Sequence, residues 1–185
     1  MRKRAFIASI MLPMGFVAAS FTLKAADHTS AITDSEQVSK LLSEAKTIAF
    51  ELKEDAMTMA SFPRMTLSFE SHAVAINQIR EHLDALQLQA AKLQDVKGFA
   101  APWQKTAIDR MAPFLDELEG YTAAVIERIN EKPKFLNTPE YKDYLEANAD
   151  YAEDLANMIG QFVDYGRAKD RLQTLTEKLE LQTHR

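Results

Sequence analysis

The sequence has no cysteine, only five glycines among 185 residues, and a single tryptophan. Without cysteine there is no disulfide, thiol nucleophile or thiolate metal ligand, so a folded state must be stabilised by packing alone. The scarcity of glycine, together with many alanine, leucine, glutamate and glutamine residues, favours helix throughout. About 160 residues remain once an N-terminal segment is set aside, which is enough for one domain with its own core.

Acidic residues are absent from the first 26 positions, where the longest uncharged run of the chain also lies. A basic head of Arg2, Lys3 and Arg4 precedes the uncharged residues 5–23, and small residues follow Val17. This order is typical of a bacterial export signal. We therefore expect an exported protein, either periplasmic or secreted.

The N-terminal segment has two possible fates. Pro13 and Gly15 interrupt its apolar run and favour cleavage, but the run is nearly long enough to remain as an inner-membrane anchor. We predict a signal peptide over residues 1–25 and a flexible tail over residues 26–33. Anchoring by an uncleaved segment stays open as the alternative.

The charge of the remaining chain restricts its partners. Removal of the predicted signal leaves 18 basic and 27 acidic residues, a net charge of −9. Such a surface repels nucleic-acid phosphates and anionic lipid headgroups. We expect no nucleic-acid partner, and membrane association only if the N-terminal segment is retained.

Apolar residues recur at alternating steps of three and four over four stretches, which is the spacing of one face of a helix. The stretches cover residues 38–59, 65–93, 107–129 and 141–179. Short connections between amphipathic helices make neighbours antiparallel. The sequence therefore predicts an all-α protein, an antiparallel up-down-up-down four-helix bundle over residues 34–181.

Several helix boundaries are predicted from capping and breaking residues. Thr33 and Glu36 have the spacing of a capping box at the start of the first helix, and Pro63 ends that helix. Pro139, which follows a threonine, begins the fourth. Pro113 lies within the third helix and predicts a kink.

The fourth pattern is longer than the other three and cannot be matched along its whole length. Its C-terminal part either bends back near Gly160 or Gly166 or projects beyond the bundle. In the second case Leu172, Leu175 and Leu179 form an apolar stripe available to a protein partner or to a second copy. We take these three leucines as the candidate partner surface.

His72 is the one polar residue on the second apolar stripe, and the proposed topology brings it near Tyr121 and Asn148. Tyr144 and Tyr151 lie one turn to either side of Asn148. These residues form a candidate polar layer in the core, where paired polar groups fix helix register. A structural layer is the favoured interpretation, and a small-ligand site built on it is the alternative.

Metal and haem sites have weaker support in the sequence. Haem would use His72 with Met57, Met59 or Met111 as axial ligands, and the thioethers of Met57 and Met59 are of the type that binds copper(I). We predict no cofactor, because methionine at helical spacing is usually core filling.

A second copper hypothesis depends on the position of cleavage. If the signal were cut after Ala25, the mature chain would begin Ala26-Asp27-His28. A free amine with histidine in third place binds square-planar copper(II) or nickel(II). His28 is therefore a candidate ligand only for that cut.

Catalytic patterns do not emerge from the sequence: it shows no nucleophile, histidine and acid arrangement and no glycine-rich phosphate loop. We predict that the protein is not an enzyme. Trp103 begins the third helix beside Pro102, and we expect it to close one end of the bundle against Leu41 and Leu93.

Four segments resemble an uncharacterised family of small exported helical-bundle proteins from bacteria. They are SHAVAINQIREHL, APWQKTAIDRMAPFLDEL, NTPEYKDYLEANADYAEDL and FVDYGRAKDRLQTLTEKLEL. The resemblance implies a helical fold and export, and no activity is attached to it. The sequence thus predicts an exported, non-enzymatic bundle acting through protein contacts, with a haem-, metal- or small-ligand-binding bundle centred on His72 as the alternative.

Overall fold

The computed structural model describes residues 34–65, 67–131, 136 and 138–183, with side chains as far as Glu180. Four helices make up most of this range: α1 Glu36–Ala60, α2 Phe69–Val96, α3 Pro102–Glu131 and α4 Pro139–Thr183. Short 3-10 turns at Phe62–Arg64 and Lys97–Phe99 join the first three helices, and the described residues include no strand. The predicted signal peptide, the tail and His28 lie outside the described residues.

The all-α, up-down-up-down bundle is confirmed by contacts between neighbouring helices, in which residue numbers rise on one helix as they fall on the next. Examples are Glu44–Gln89 and Asp55–His82 for α1 and α2, Lys46–Asp164 and Lys53–Glu153 for α1 and α4, and Phe114–Tyr151 and Tyr121–Tyr144 for α3 and α4. Each helix is therefore antiparallel to its neighbours.

The start of α1 differs from the prediction. Ser35 is the N-cap, and its hydroxyl accepts a hydrogen bond from the backbone N–H of Val38. Glu36 is the first helical residue, so the predicted capping box of Thr33 and Glu36 is wrong. Gln104 on α3 explains the choice, because its side-chain amide binds both the N–H and the carbonyl of Ser35 and fixes the chain there.

The start of α2 also lies later than the apolar stripe indicates. Ser68 caps the helix by accepting from the backbone N–H of Ser71, and Phe69 is its first residue. Met65, placed on the stripe by its spacing, lies before the helix and is 53% exposed. Pro63 accounts for the delay, since it lies in the 3-10 turn that separates the two helices.

The core is a single cluster of apolar side chains from all four helices. Its largest fully buried members are Tyr141, Leu42, Leu52, Met59, Ile79, Leu86, Leu93, Ile108, Met111, Leu118, Leu145 and Leu155. The chain from Ile32 to Arg185 is one compact unit around this cluster. Within α3, Pro113 is exposed and the helix continues through it.

The fourth helix continues without a break for 45 residues. Gly160 and Gly166 both lie within the helix, so the chain does not turn back at either of them. From Asp170 to Glu180 every side chain is exposed. Of the two predicted alternatives, projection beyond the bundle is confirmed, and residues 170–183 are called the overhang below.

None of the helices in the described part of the chain is both long enough and apolar enough to cross a bilayer.

Candidate functional site

The overhang carries the predicted partner surface on a stretch of helix whose described side chains are all exposed. At 1.5 Å per residue its fourteen residues extend for about 21 Å. Leu172, Leu175 and Leu179 are 66%, 57% and 64% exposed. Leucines spaced three and four residues apart lie on one face of a helix and normally pack against a partner. Packing is favoured because exposed leucine leaves apolar surface in contact with water. The described part of the monomer does not cover this stripe.

The charges around the stripe have a definite arrangement on the helix. At 100° per residue, Arg171 and Lys178 lie about 75–95° to one side of the stripe and Lys169 lies about 85° to the other. Asp170 and Glu177 lie on the opposite face, about 170° away. Glu180 lies about 105° from the stripe on the same side as Lys169, so one flank carries two cations and the other carries one cation and one carboxylate.

The sign of the charge also changes along the molecule. Residues 34–166 contain 13 basic and 23 acidic residues, whereas residues 167–185 contain five basic and three acidic ones. The bundle is therefore strongly anionic. The overhang itself contains two basic and three acidic residues, a net charge of −1, so the excess of cations in residues 167–185 comes from Arg167, Lys169 and Arg185 on either side of it.

The base of the overhang is fixed by Trp103. Its indole N–H donates to Asp34 Oδ1 at 2.9 Å, and Lys169 Nζ approaches the same carboxylate oxygen at 2.5 Å. The ring packs edge-on against Tyr165 and lies against Gly166, where a Cβ would be 2.8 Å from its Cη2 atom. Trp103 thus lies at the predicted end of the bundle, where its hydrogen-bond partner precedes α1 and its ring contacts Tyr165 and Gly166 on α4.

A shallow groove of about 230 Å³ runs beside this base. Trp103, Val163 and Leu42 supply apolar surface to it, while Arg167 and Asp170 contribute charge. The groove connects the first turns of α1 to Arg167 and to Asp170, the first residue of the overhang. It extends the exposed surface that a partner of the overhang would contact.

His72 lies at the other end of the bundle, where its Nδ1 is 2.8 Å from the hydroxyl of Tyr141. Phe62 packs edge-on against the imidazole, with ring centroids 5.2 Å apart. Burial lowers the pKa of His72 and raises that of Tyr141, because both charged forms lose hydration. The hydroxyl of Tyr141 therefore gives Nδ1 of the buried imidazole a hydrogen-bond partner within the protein.

Asn148 pairs with Thr122 rather than with His72. Its amide nitrogen donates to Thr122 Oγ1 at 3.1 Å, and both side chains are buried between α3 and α4. Among the described side chains, Asn148 Oδ1 is the one buried polar atom without a hydrogen-bond partner. The pair fixes the register of the two helices but leaves one acceptor unsatisfied.

The tyrosines of the predicted layer form a row of rings at the surface between α3 and α4. Tyr121 stacks on Tyr151 with centroids 5.6 Å apart and also contacts Tyr144. The hydroxyl of Tyr144 donates to Glu140 and, chiefly because of this bond, the pKa of Tyr144 is raised. The structure therefore divides the predicted polar layer into a His72–Tyr141 pair, an Asn148–Thr122 pair and this row.

The candidate metal ligands are distributed over different surroundings. Met59 and Met111 are buried in the core, whereas Met57 is 48% exposed at the end of α1. Among the described residues, no group of three or more histidine, aspartate or glutamate side chains is arranged to hold a metal ion.

Two buried glutamines were not found from the sequence. Gln104 accepts from the N–H groups of Ser35 and Ala101 and donates to Ser35 and Ser39. Gln89 bonds to the carbonyl of Leu41 and to Glu44. Glutamine is common on exposed helix faces, so only their place within the buried stripes of α2 and α3 would have indicated them.

No protein-family model, curated protein sequence or solved structure matches the chain.

Proposed function

We propose that the protein is an exported, non-enzymatic interaction module whose docking surface is the overhang of α4. The observation that carries the proposal is the exposure of Leu172, Leu175 and Leu179 on a helix that continues beyond its bundle. Burial of apolar area is the main driving force for association, so such a stripe favours binding. The basic head and uncharged run at the N-terminus support export.

The bundle serves this function as a rigid support. Trp103 and the Asp34–Lys169 ion pair fix α4 where it leaves the bundle. A helix fixed at its base loses less conformational freedom on binding than a flexible tail would. The overhang is therefore preorganised for docking.

The test compares two triple variants in light scattering and in capture from the envelope fraction. One replaces Leu172, Leu175 and Leu179 with serine. The control replaces Val74, Leu88 and Phe99, which are 61%, 60% and 80% exposed on the bundle, with serine. We expect the first variant alone to lose self-association or capture. Equal behaviour of both variants and the unchanged protein would contradict the proposal.

A further inference from the structure

A groove between the end of α1 and α4 lies toward the end of the bundle opposite the overhang. Its volume is about 310 Å³, near the lower end of the range for small-molecule sites, so it suits a ligand of the size of an amino acid. Met57, Ala60 and Ala149 supply apolar surface to it. The residues that line the groove all lie outside the overhang, so a ligand site there is independent of the proposed docking function.

The two walls of this groove carry charges of opposite sign. Arg64, the last residue of the 3-10 turn after α1, lines one wall, and Glu146 and Asp150 line the wall formed by α4. All three side chains are exposed, and none of them forms an ion pair with another residue in the described part of the chain. A ligand in the groove can therefore contact a free guanidinium on one side and two free carboxylates on the other.

The carboxylates on the α4 wall repel one another. Glu146 and Asp150 are four residues apart and Glu153 follows three residues later, so all three lie on one face of the helix, where like charges are destabilising. Glu153 is paired with Lys53, whose Nζ is 2.7 Å from Glu153 Oε1. The other two carboxylates lack such a partner among the described residues. A cationic group bound beside them would relieve their repulsion.

The backbone of Arg64 is held in place by its turn. Its N–H donates to the carbonyl of Ser61 at 3.1 Å, and the next N–H, that of Met65, donates to the carbonyl of Phe62 at 2.9 Å. Pro63 further restricts the backbone of this turn. A guanidinium presents parallel N–H donors that match the two oxygens of a carboxylate. The turn thus holds a carboxylate-binding side chain opposite the acidic wall.

The balance of free charges indicates the class of ligand. With Glu153 neutralised by Lys53, the groove presents one cation against two carboxylates. Its complement has one carboxylate and two cationic groups, which is the set of charges on free lysine, ornithine or arginine at neutral pH. We propose that the groove binds a free basic amino acid, with its carboxylate on Arg64 and its cationic groups on Glu146 and Asp150.

A C-terminal lysine or arginine of a peptide shares part of this chemistry. It has the same carboxylate and side-chain cation, but its α-nitrogen is an uncharged amide. Such a ligand would leave one of the two carboxylates of α4 without a cation. Acetylation of the α-nitrogen therefore separates the two sources of the ligand.

The experiment is a calorimetric titration of residues 26–185, which contain the whole compact unit, with L-lysine. Three analogues each lack one charge: L-lysine methyl ester lacks the carboxylate, Nα-acetyl-L-lysine lacks the α-ammonium, and L-norleucine lacks the side-chain cation. Sodium chloride at the same concentration controls for ionic strength. The unfolding midpoint, measured with and without L-lysine, provides a second readout, because a ligand that binds only the folded state raises it.

Two variants and two matched controls assign the contacts. Arg64→Gln removes the cation and Glu146→Gln removes one carboxylate, each at an exposed position. Arg80→Gln and Glu81→Gln make the same changes at exposed positions of α2 that do not line the groove. Circular dichroism without ligand confirms that all four variants fold.

We expect L-lysine to bind and each analogue to bind at least about tenfold more weakly, because each loses a charge-assisted hydrogen bond. Arg64→Gln should weaken binding of L-lysine by a similar factor and leave binding of the methyl ester unchanged. Glu146→Gln should weaken binding of both. The two control variants should bind L-lysine like the unchanged protein.

Several results would overturn the assignment. Absence of both a binding heat and a rise in the unfolding midpoint with L-lysine would exclude the site. Equal weakening by the groove variants and their controls would show a nonspecific effect of charge. If Nα-acetyl-L-lysine bound as tightly as L-lysine, the ligand would be a peptide C-terminus and the proposal of a free amino acid would be wrong. None of these results bears on the overhang, whose leucine variants test the proposed function separately.

Discussion

The two parts of α4 have similar apolar spacing but opposite surroundings. Over residues 139–166 the helix buries Tyr141, Leu155 and Ile159 against its neighbours, whereas every described side chain of the overhang as far as Glu180 is exposed. The difference arises because the neighbouring helices end before α4 does. An apolar stripe therefore shows which face of a helix seeks a partner, and the tertiary structure shows whether the partner is already in the chain.

The largest expected effect comes from making the same leucine-to-alanine substitution in each of the two parts of α4. Leu155→Ala removes a fully buried side chain and should lower the free energy of unfolding by about 2–5 kcal/mol. Leu175→Ala in the overhang should change it by less than about 0.5 kcal/mol. Urea unfolding followed by circular dichroism measures both. A comparable loss for Leu175→Ala would show that the overhang is packed in the monomer.

The boundary between the two parts is tested by two glycines. Gly166→Ala would place a Cβ 2.8 Å from the ring of Trp103, which must move, and we expect a loss of about 1–3 kcal/mol. Gly160→Ala would place its Cβ 3.5 Å from Phe50, an ordinary contact, and should stabilise the helix by up to about 1 kcal/mol. Thermal unfolding and the fluorescence of the single tryptophan report both changes. The two substitutions should change the free energy of unfolding in opposite directions. Destabilisation by both would contradict this account of the boundary.

The smallest effect depends on pH and concerns the first turn of the packed part, where Tyr141 meets His72. Burial lowers the pKa of His72 from 6.5 in the folded state. Below about pH 6.5 the unfolded chain therefore binds a proton that the folded chain does not, and stability falls as pH decreases toward the lowered pKa. The loss is about 1.4 kcal/mol for each unit by which the pKa is lowered.

Unfolding midpoints measured between neutral pH and pH 5 check this dependence. His72→Leu should remove this component of it, and His82→Asn, at a half-buried position on the same helix, should not remove it. An unchanged pH dependence in His72→Leu would show that His72 does not cause it.

The prediction of the polar layer shows where sequence reasoning fails. The apolar stripe of α2 starts at Met65, and a helix that began there would place His72 level with Asn148. Because α2 begins at Phe69, His72 is the fourth residue of its helix and meets Tyr141, the third residue of α4. An error of about one turn in a helix start is enough to exchange the partner of a buried residue.

Other parts of the site were predictable for a clear reason. The leucines of the overhang follow from periodicity and from the unequal lengths of the four patterns, both of which are local. The place of Trp103 at a bundle end also follows from its position near the start of α3. The contact of Trp103 with Gly166 does not follow from that position. It depends on how α3 and α4 align, and the two residues are 63 positions apart in the chain.

The sequence by itself determined the helices, their antiparallel order and the existence of a surplus at the end of α4, because hydrophobic spacing and connection length are local properties. Only the tertiary structure decided that α4 continues unbroken through Gly160 and Gly166, that Gln104 fixes the start of α1, and that His72 pairs with Tyr141. These depend on the axial alignment of distant helices. It also showed that Leu172, Leu175 and Leu179 are exposed, because that depends on where the neighbouring helices stop.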